Sequence, residues 1–376
     1  MKKVLYILKH NPWGIGGGCY ASNLYFTAFL EVFKDYQFDI LLCDYCLEMD
    51  HPTYNGNCHF IPVVPRGKSK ILSVFTGIMH RYQKQGRKML SSYHYDYCIF
   101  DHSQIAGSLI PYVPTGTKSI VLHHNFEQKY YRGNTPSCLH RILFSRFVAK
   151  WERNAFLNCA FNVFLTKEDL GQFRDFYGKE KGTSIIGGIF DFNTMPAGDV
   201  SMGKEFICVI TGSLDNVQNV DGLRYFFDQL YPLFPKQIKI IIAGKNPSPA
   251  IYDLVNERVN VKIVANPQNM ASVISKGQIY LCPTRLGSGI KVRITDGLRA
   301  GLPVIAHKVS ARGYSDFIEK GYMLSFDSKE EFADALRTMI NRIDSNPGIY
   351  QDIRSYYVNS NSFACGVSKL KIVLKQ

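Results

Sequence analysis

Short apolar runs of β character alternate along this chain with longer stretches of helical period, and halfway along the alternation starts again. In the first half the runs are Val4–Leu8, Phe38–Cys43, His59–Val64, Tyr97–Phe100, Ser119–Leu122 and Asn162–Leu165. Predicted helices Cys19–Phe33, Ile71–Ser91, Leu139–Asn158 and Lys167–Tyr177 lie between or after them. Strands separated by helical stretches of that length call for a parallel sheet with crossover helices. The second half repeats the pattern with strands Phe206–Thr211, Lys239–Ala243, Val261–Val264, Ile279–Cys282 and Pro303–Ala306, and helices Val220–Leu230 and Ile290–Ala300. Gly301 and Pro303 stop the last of these helices. Two α/β domains are therefore predicted, 1–195 and 196–350, joined at a Gly-, Pro- and Asp-containing hinge, Asn193–Gly203. A C-terminal helix at about 350–376 is expected to pack back on the first domain. Doubly wound sheets of this kind bind ligands outside the carboxyl ends of their strands, here across a cleft.

Composition fits that reading. The 376 residues are 46% hydrophobic and 13% aromatic, enough for two cores, which excludes disorder, collagen and coiled coil. No apolar run approaches the ~18 residues of a membrane span. The first apolar run, Val4–Leu8, is cut by Lys9 and His10, too short for a secretory signal and suited to a buried first strand. Ten cysteines are scattered, many within apolar runs (Cys98, Cys208, Cys282), and only Cys43 and Cys46 form a C-x-x-C. Reduced core thiols of a cytoplasmic protein explain this distribution better than zinc, which needs a second pair.

Three segments carry chemistry. Gly14-Ile15-Gly16-Gly17-Gly18 lies between the first strand and first helix, beside Pro12 and Trp13. It lacks dinucleotide-type spacing, and it reads either as a mobile turn or as a loop whose N–H groups, Gly16 and Gly17 among them, face an anion. The second segment is Leu281-Cys-Pro-Thr-Arg-Leu-Gly-Ser-Gly-Ile-Lys-Val-Arg-Ile-Thr-Asp296, a strand, a small-residue loop and a helix start. Such a loop is either an ordinary strand-to-helix turn or a place where a diphosphate approaches backbone N–H groups, with Lys291 and Arg293 adding charge and Asp296 within reach of a ribose. The third is His51–Tyr95, which holds seven cations and no acid, more than half of the chain's net charge of +13. On a helix, Ile71, Phe75, Ile78 and Tyr82 form one stripe and Lys70, Arg81, Lys84 and Lys88 another. The pair of stripes fits either an anionic membrane surface or an apolar face packed on the sheet with solvated cations. Arg141, Arg146, Lys150 and Arg153 extend the charge along the chain. No nucleic-acid module is present, and aromatics do not interleave with the cations as a stacking platform requires.

The second segment resembles the donor-binding signature of the group 1 retaining nucleotide-sugar glycosyltransferases of GT-B fold. Pro283, Arg285, Gly287, Ser288, Gly289, Gly301, Pro303 and Val304 stand where that signature has the same residues. Arg293 stands at its lysine and Asp296 at its ribose-binding glutamate. Thr211-Gly212-Ser213-Leu214 with Asn219-Val220-Asp221-Gly222-Leu223 is similar to the start of the family's second domain. His124-Asn125-Phe126-Glu127 and Thr166-Lys-Glu-Asp169 are similar to motifs of its first domain. The resemblance covers residues 3–320 in order. The chain departs from the pattern in three places. Ser288 stands where many members have the first acid of Glu-x7-Glu, Asp215–Asn219 lacks the usual Arg and Lys, and Gly187-Gly188 replaces Asn-Gly.

The resemblance implies two Rossmann-like domains facing across a cleft, the first holding an acceptor and the second a nucleotide sugar. It implies a metal-independent retaining transferase with no cofactor, in which His124, Lys291 and Arg293 are catalytic. Gly16, Gly17, Gly212, Ser213, Asn219, Arg285, Gly287, Ser288, Gly289, Ile290 and Asp296 would bind the donor. His102, at a strand end, and Glu127 would face the acceptor, with Lys70, Arg81, Lys84 and Lys88 at a membrane. The implied acceptor is a glycan or lipid-linked glycan of bacterial envelope polysaccharide synthesis, handled at the inner face of the cell membrane, with no nucleic acid involved. The alternatives are a non-catalytic nucleotide-sugar or glycan-binding protein of the same fold and a GT-B sugar-nucleotide epimerase. A nicotinamide dehydrogenase is a distant third.

Overall fold

The computed structural model describes residues 2–14, 17–48, 54, 56–64, 72–73, 75–133, 139–192, 206–256, 258–287 and 289–374. Its contacts divide the chain into two compact units, Met1–Asp191 with Phe363–Gln376, and Phe192–Ser362. The expected hinge, 193–203, lies outside the described residues.

The first unit is built on seven parallel strands: β1 (Lys3–Ile7), β2 (Gln37–Cys43), β3 (Cys58–Val63), β4 (Tyr97–Phe100), β5 (Lys118–His123), β6 (Phe161–Phe164) and β7 (Thr183–Ile186). Their order is β3-β2-β1-β4-β5-β6-β7, so the strand order reverses between β1 and β4. All four residues of β4 are buried, as in β1 after its first residue, which explains why these strands read as continuous apolar runs. The second unit repeats the plan with β8 (Ile207–Thr211), β9 (Lys239–Gly244), β10 (Val261–Ala265), β11 (Ile279–Cys282), β12 (Val304–His307) and β13 (Met323–Phe326). Its order is β10-β9-β8-β11-β12-β13, with the reversal between β8 and β11. The fold is thus two doubly wound α/β units, as the alternation requires. Cys98, Cys208 and Cys282 are buried in their strands.

The sequence pattern misses β7 and β13, whose four residues each include exposed or polar positions and make no apolar run. It also runs two helical stretches together. Within the expected Ile71–Ser91 helix, residues 72–73 and 75–76 are helical, the chain leaves the helix at Gly77, which stands at φ +67°, and a helix resumes at His80. A Cβ there would lie 2.7 Å from Phe147 Cβ, so the chain passes too close to the helix Leu139–Asn158 for any larger residue. The return to the first unit also comes later than about 350. The helix Ile349–Asn361 stays with the second unit, beside the helix Arg293–Arg299. Only Phe363–Leu374 crosses back, packing on the helix Gly17–Val32, with Tyr97 Oη donating to the Leu374 carbonyl at 3.1 Å.

One crossing places functional groups. The helix Ser103–Leu109 runs against the helix Leu139–Asn158 so closely that a Cβ on Gly107 would lie 1.8 Å from the Trp151 carbonyl oxygen. Asn154 Nδ2 donates to the Gly107 carbonyl at 2.7 Å across the same contact. The first helix begins beside His102 and the second carries Glu152, so their separation is set here. Overpacking of a close contact costs about 1–3 kcal/mol. We therefore expect Gly107→Ala to destabilise the first unit by at least that much, read as a lowered midpoint in urea unfolding, whereas Gly171→Ala, where a Cβ meets nothing within 4 Å and φ is not positive, leaves that contact intact. Equal midpoints for wild type and Gly107→Ala would contradict the close crossing.

Candidate active site

Two polar clusters form, one in each unit. In the first, the residues following β1, β4 and β5 converge, as adjacency of these strands demands. Asp101, His102, His124, Glu127 and Glu152 are buried, while Lys9 and His10 keep part of their surface open. His124 Nε2 lies 2.9 Å from Asp101 Oδ1, and the other carboxylate oxygen accepts from Ser22 Oγ at 2.7 Å. Burial raises the Asp101 carboxyl, but His124, His10 and the Ser22 hydroxyl outweigh it and hold the group below its usual range. An ionised Asp101 fixes the proton of His124 on Nε2. The His124 Nδ1 atom is then a lone-pair acceptor, buried and without a protein partner.

His102 makes a second chain of contacts. Its Nε2 lies 3.0 Å from Glu127 Oε1 and 2.7 Å from Lys9 Nζ, and its Nδ1 accepts from the Gln104 backbone N–H at 3.4 Å. Burial lowers Lys9 and His102, and it takes His10, pressed further by Lys9 and His102, down to about 3. Glu127 resists burial and stays below the carboxylate range through the charges of His102 and Lys9 and the hydrogen bond from His102. Behind it, Glu152 accepts from Ser103 Oγ (3.3 Å), the Glu127 and Gln128 N–H groups (2.9 and 3.2 Å) and Tyr177 Oη (2.8 Å). Burial and the Glu127 charge nevertheless push Glu152 up to about 8. His123, by contrast, stacks on Phe164 with centroids 4.4 Å apart and bonds Asn162 at 2.9 Å, a core histidine.

In the second unit, the loops after β8 and β11 meet the helix Val217–Tyr225 and the segment leading into Arg293–Arg299. Small residues are obligatory here. A Cβ on Gly212 would sit 2.7 Å from Arg293 Nη1 and 2.9 Å from Asn219 Nδ2. On Gly287, at φ +100°, it would sit 2.5 Å from Gln218 Oε1 and 2.7 Å from Lys291 Nζ. Arg293 Nη1 donates to the Thr211 carbonyl at 3.3 Å, and Lys291 Nζ lies 3.4 Å from Gln218 Oε1. Asn219 donates to the Ser213 carbonyl at 2.8 Å while its buried Oδ1 has no protein partner. Burial, with Arg293 and Arg312 adding repulsion, lowers Lys291 to about 8. Two cations thus share a loop of glycines, with the Lys291 amine donating to Gln218. An anion placed there gains charged hydrogen bonds and keeps the lysine protonated.

Lys291, Arg293, Gly212, Ser213, Asn219 and Gly287 come together. Gly289 follows in the same loop at φ +73°, and Ile290 packs part of its side chain on the core of this unit. Arg285 points its guanidinium elsewhere: it holds Asp221 in a two-pronged ion pair at 2.9 and 3.0 Å and lies over the Tyr225 ring. Asp296 pairs with Arg299 at 2.7 Å and lines a cavity of about 500 Å³ with Gln268, Asn269 and Arg354. Gly17 is the first residue of its helix, while Gly16, Ser288 and Lys70 lie outside the described residues. In the first unit His102, His124 and Glu127 come together. Lys84 and Lys88 are exposed on the helix His80–Ser92, and Arg81 is half-buried on it. Of the apolar stripe, Tyr82 is buried in the core, as packing on the sheet requires, whereas Phe75 is 68% exposed and Ile71 is not among the described residues. Sequence reasoning passed over Lys9, His10, Asp101 and Glu152. The signal available for the first three was their position directly after strands on either side of the order reversal.

Residues 205–342 match the family model of the group 1 glycosyl transferases. Solved structures of similar fold span the chain from end to end. Sucrose-phosphate synthase from Thermosynechococcus elongatus has a TM-score of 0.71 at 14% identity, covering 100% of this chain and 99% of its own. WaaG, a glycosyltransferase involved in lipopolysaccharide biosynthesis, has 0.68 at 14%, covering 99% and 100%. Anabaena Alr3699/HepE in complex with UDP has 0.68 at 13%, covering 100% of both chains. No curated protein matches by sequence. The fold is that of the GT-B glycosyltransferases, two Rossmann-like units. The match to the group 1 glycosyl transferases falls within the second unit, and the glycine loop with Lys291 and Arg293 lies inside the matched segment.

The lowered Lys291 can be checked directly. Its amine should titrate near 8 in NMR of lysine-labelled protein, and Arg293→Met should move it upward by removing a neighbouring positive charge. A Lys291 that titrates like free lysine in both proteins would contradict the burial described here.

Proposed function

We propose that the protein is a retaining glycosyltransferase that moves a sugar from a nucleotide diphosphate to an acceptor hydroxyl. The observation that carries this reading is the gathering of Lys291 and Arg293 around Gly212 and Gly287, with the unpartnered Asn219 carbonyl beside them. The glycosidic bond to the diphosphate breaks as the bond to the acceptor oxygen forms. Positive charge develops on the sugar and negative charge on the leaving diphosphate. Fixed cations and backbone N–H groups offset the latter, so no metal is needed in this proposal. In a front-face substitution the leaving phosphate oxygen takes the acceptor proton, and no protein nucleophile is required. His124, oriented by Asp101, offers Nδ1 as an acceptor for a sugar hydroxyl. Asp296 is assigned to the ribose hydroxyls, exchanging its bond to Arg299 for them.

The proposed acceptor is a lipid-linked glycan of bacterial envelope polysaccharide synthesis, met at the cytoplasmic face of the membrane. Among the described residues no helix is long and apolar enough to cross a bilayer. Exposed Leu72 and Phe75, with Lys84 and Lys88 nearby in sequence, support a peripheral contact with anionic lipid. Asp215, bound to Ser213 and Asn246 where the family usually has cations, favours the second reading of a binding protein without turnover.

Incubation with UDP- and GDP-sugars and product analysis separates the readings. Release of UDP or GDP that depends on acceptor and survives EDTA is expected. Tight binding without release supports the binding protein, and loss on chelation restored by Mg²⁺ contradicts metal independence. Charged hydrogen bonds are worth about 1.5–3 kcal/mol. Asp296→Ala, Lys291→Ala and Arg293→Ala should therefore each reduce nucleotide-sugar affinity or turnover about tenfold or more. With Lys291 near 8, nucleotide affinity should also fall as pH rises through that value. Co-sedimentation with anionic liposomes should weaken with NaCl and with Lys84→Gln and Lys88→Gln combined, and equal recovery with neutral vesicles would remove the membrane part.

A further inference from the structure

We propose that Cys43 and Cys46 form a redox-active dithiol in the first unit, a modification site that exchanges with low-molecular-weight disulfides. Neither polar cluster uses this C-x-x-C, and its placement carries the inference. Cys43 ends β2 and is the N-cap of a single helical turn, Asp44–Leu47. Cys46 is then the third residue of that turn. N-cap and third residue are the two positions whose side chains reach each other across a turn, as in a capping box. Helical geometry between them sets Cα atoms three residues apart at about 5 Å, inside the roughly 4.4–6.8 Å span of disulfides. The Cys43 thiol makes no capping hydrogen bond to the turn, and its sulfur contacts Tyr82 Oη at 3.2 Å instead. Cys98, Cys208 and Cys282 differ, because each is buried within a strand and has no second cysteine one turn away.

The two thiols are unequally open. Cys43 is half-buried, whereas Cys46 is closed off. Exchange therefore begins at Cys43 and is completed by Cys46. Burial also pushes the Cys46 thiol up to about 11, so it does not compete for the incoming disulfide, yet it stands one turn away as an intramolecular partner. The Cys43 sulfur attacks one sulfur of R–S–S–R, whose S–S bond breaks, and the leaving thiolate takes the proton that Cys43 gives up. The Cys46 sulfur then attacks the Cys43 sulfur of the mixed disulfide, and the second thiolate leaves with the Cys46 proton. Two protein thiols are oxidised to one disulfide, and R–S–S–R is reduced to two RSH. The pair lies where its state reaches other elements. Ile7 pairs with Leu41, so Cys43 ends its strand level with Lys9. Tyr82 is buried on the helix His80–Ser92, which also carries Lys84 and Lys88. Drawing the Cys43 sulfur onto Cys46 removes it from the Tyr82 hydroxyl.

The test uses the full chain, reduced, freed of reductant, incubated with oxidised glutathione and quenched with N-ethylmaleimide. Wild type should lose the mass of two hydrogen atoms. Digestion with trypsin and chymotrypsin cuts after Tyr45, between the two cysteines, and the fragments should stay joined until reductant is added. Cys46→Ser should hold glutathione on Cys43 as a mixed disulfide at least tenfold longer than wild type does, and Cys43→Ser should leave Cys46 unmodified. A disulfide from Cys46 to Cys19, which also lies near Cys46, a lasting glutathione adduct on wild-type Cys43, or a chain whose thiols all stay free overturns the proposal. Wild type alone decides among these, so variants that fail to fold do not blunt the test. Oxidation should also speed amide hydrogen exchange around Tyr82 at least tenfold, and unchanged rates in His80–Ser92 overturn the link to that helix. None of these measurements uses a nucleotide sugar, so the outcome is independent of the transferase reading.

Discussion

A buried carboxyl group that takes no direct part in the proposed chemistry holds the first site together. Glu152 accepts from Ser103, from two backbone N–H groups at the start of the helix Glu127–Gly133, and from Tyr177. Those donors come from three different elements, and the cost of burying this polar group is offset only if they stay in place. His102 stands immediately before Ser103, and Glu127 owns one of the donated N–H groups. The distance between His102 and Glu127, and with it the contact to Lys9, follows from the position of Glu152. The close crossing at Gly107 serves the same end by fixing the helix that bears Glu152 against the helix that follows His102.

The second site is organised by space instead. Gly212 and Gly287 are places where any Cβ would collide with Arg293, Asn219, Gln218 or Lys291. Two cations are brought close because nothing stands between them and the backbone. Their mutual repulsion, with burial, is what lowers Lys291. An anion relieves both terms at once, which makes anion binding the natural use of this loop. The two sites therefore differ in electrostatic character: one a buried network in which acids, histidines and a lysine balance one another, the other an excess of positive charge.

The plan of the fold was legible in the sequence, because parallel strands buried on both faces must be continuous apolar runs and their crossovers must have helical period. β1 through β6, β8 through β12, and the helices Leu139–Asn158 and Lys167–Tyr177 announce themselves in this way. The glycine loop before Arg293 was legible too, since Gly and a following helix start at that spacing suit a close approach of backbone to ligand. The edge strands Thr183–Ile186 and Met323–Phe326 were not, because an edge strand is partly exposed and its residues need not be apolar. Nor was the break at Gly77, which depends on Phe147, seventy residues on, lying against it.

What the sequence determined by itself was therefore the alternation, the two units and the residue types at the strand ends, all of them local consequences of periodicity and turn chemistry. Which of those residues act together was decided only by tertiary structure. Arg285 reads, by the family resemblance, as a donor-binding residue and is found holding Asp221, because the helix Val217–Tyr225 places that acid within 3 Å of it. Lys9 reads as the charge that ends an apolar strand and is found against His102, ninety-three residues away. Strand order sets β1 beside β4, and no feature of either strand's own sequence specifies that neighbour. Protonation in a buried cluster depends on every group facing it, so it is a property of the assembled site and not of any one segment.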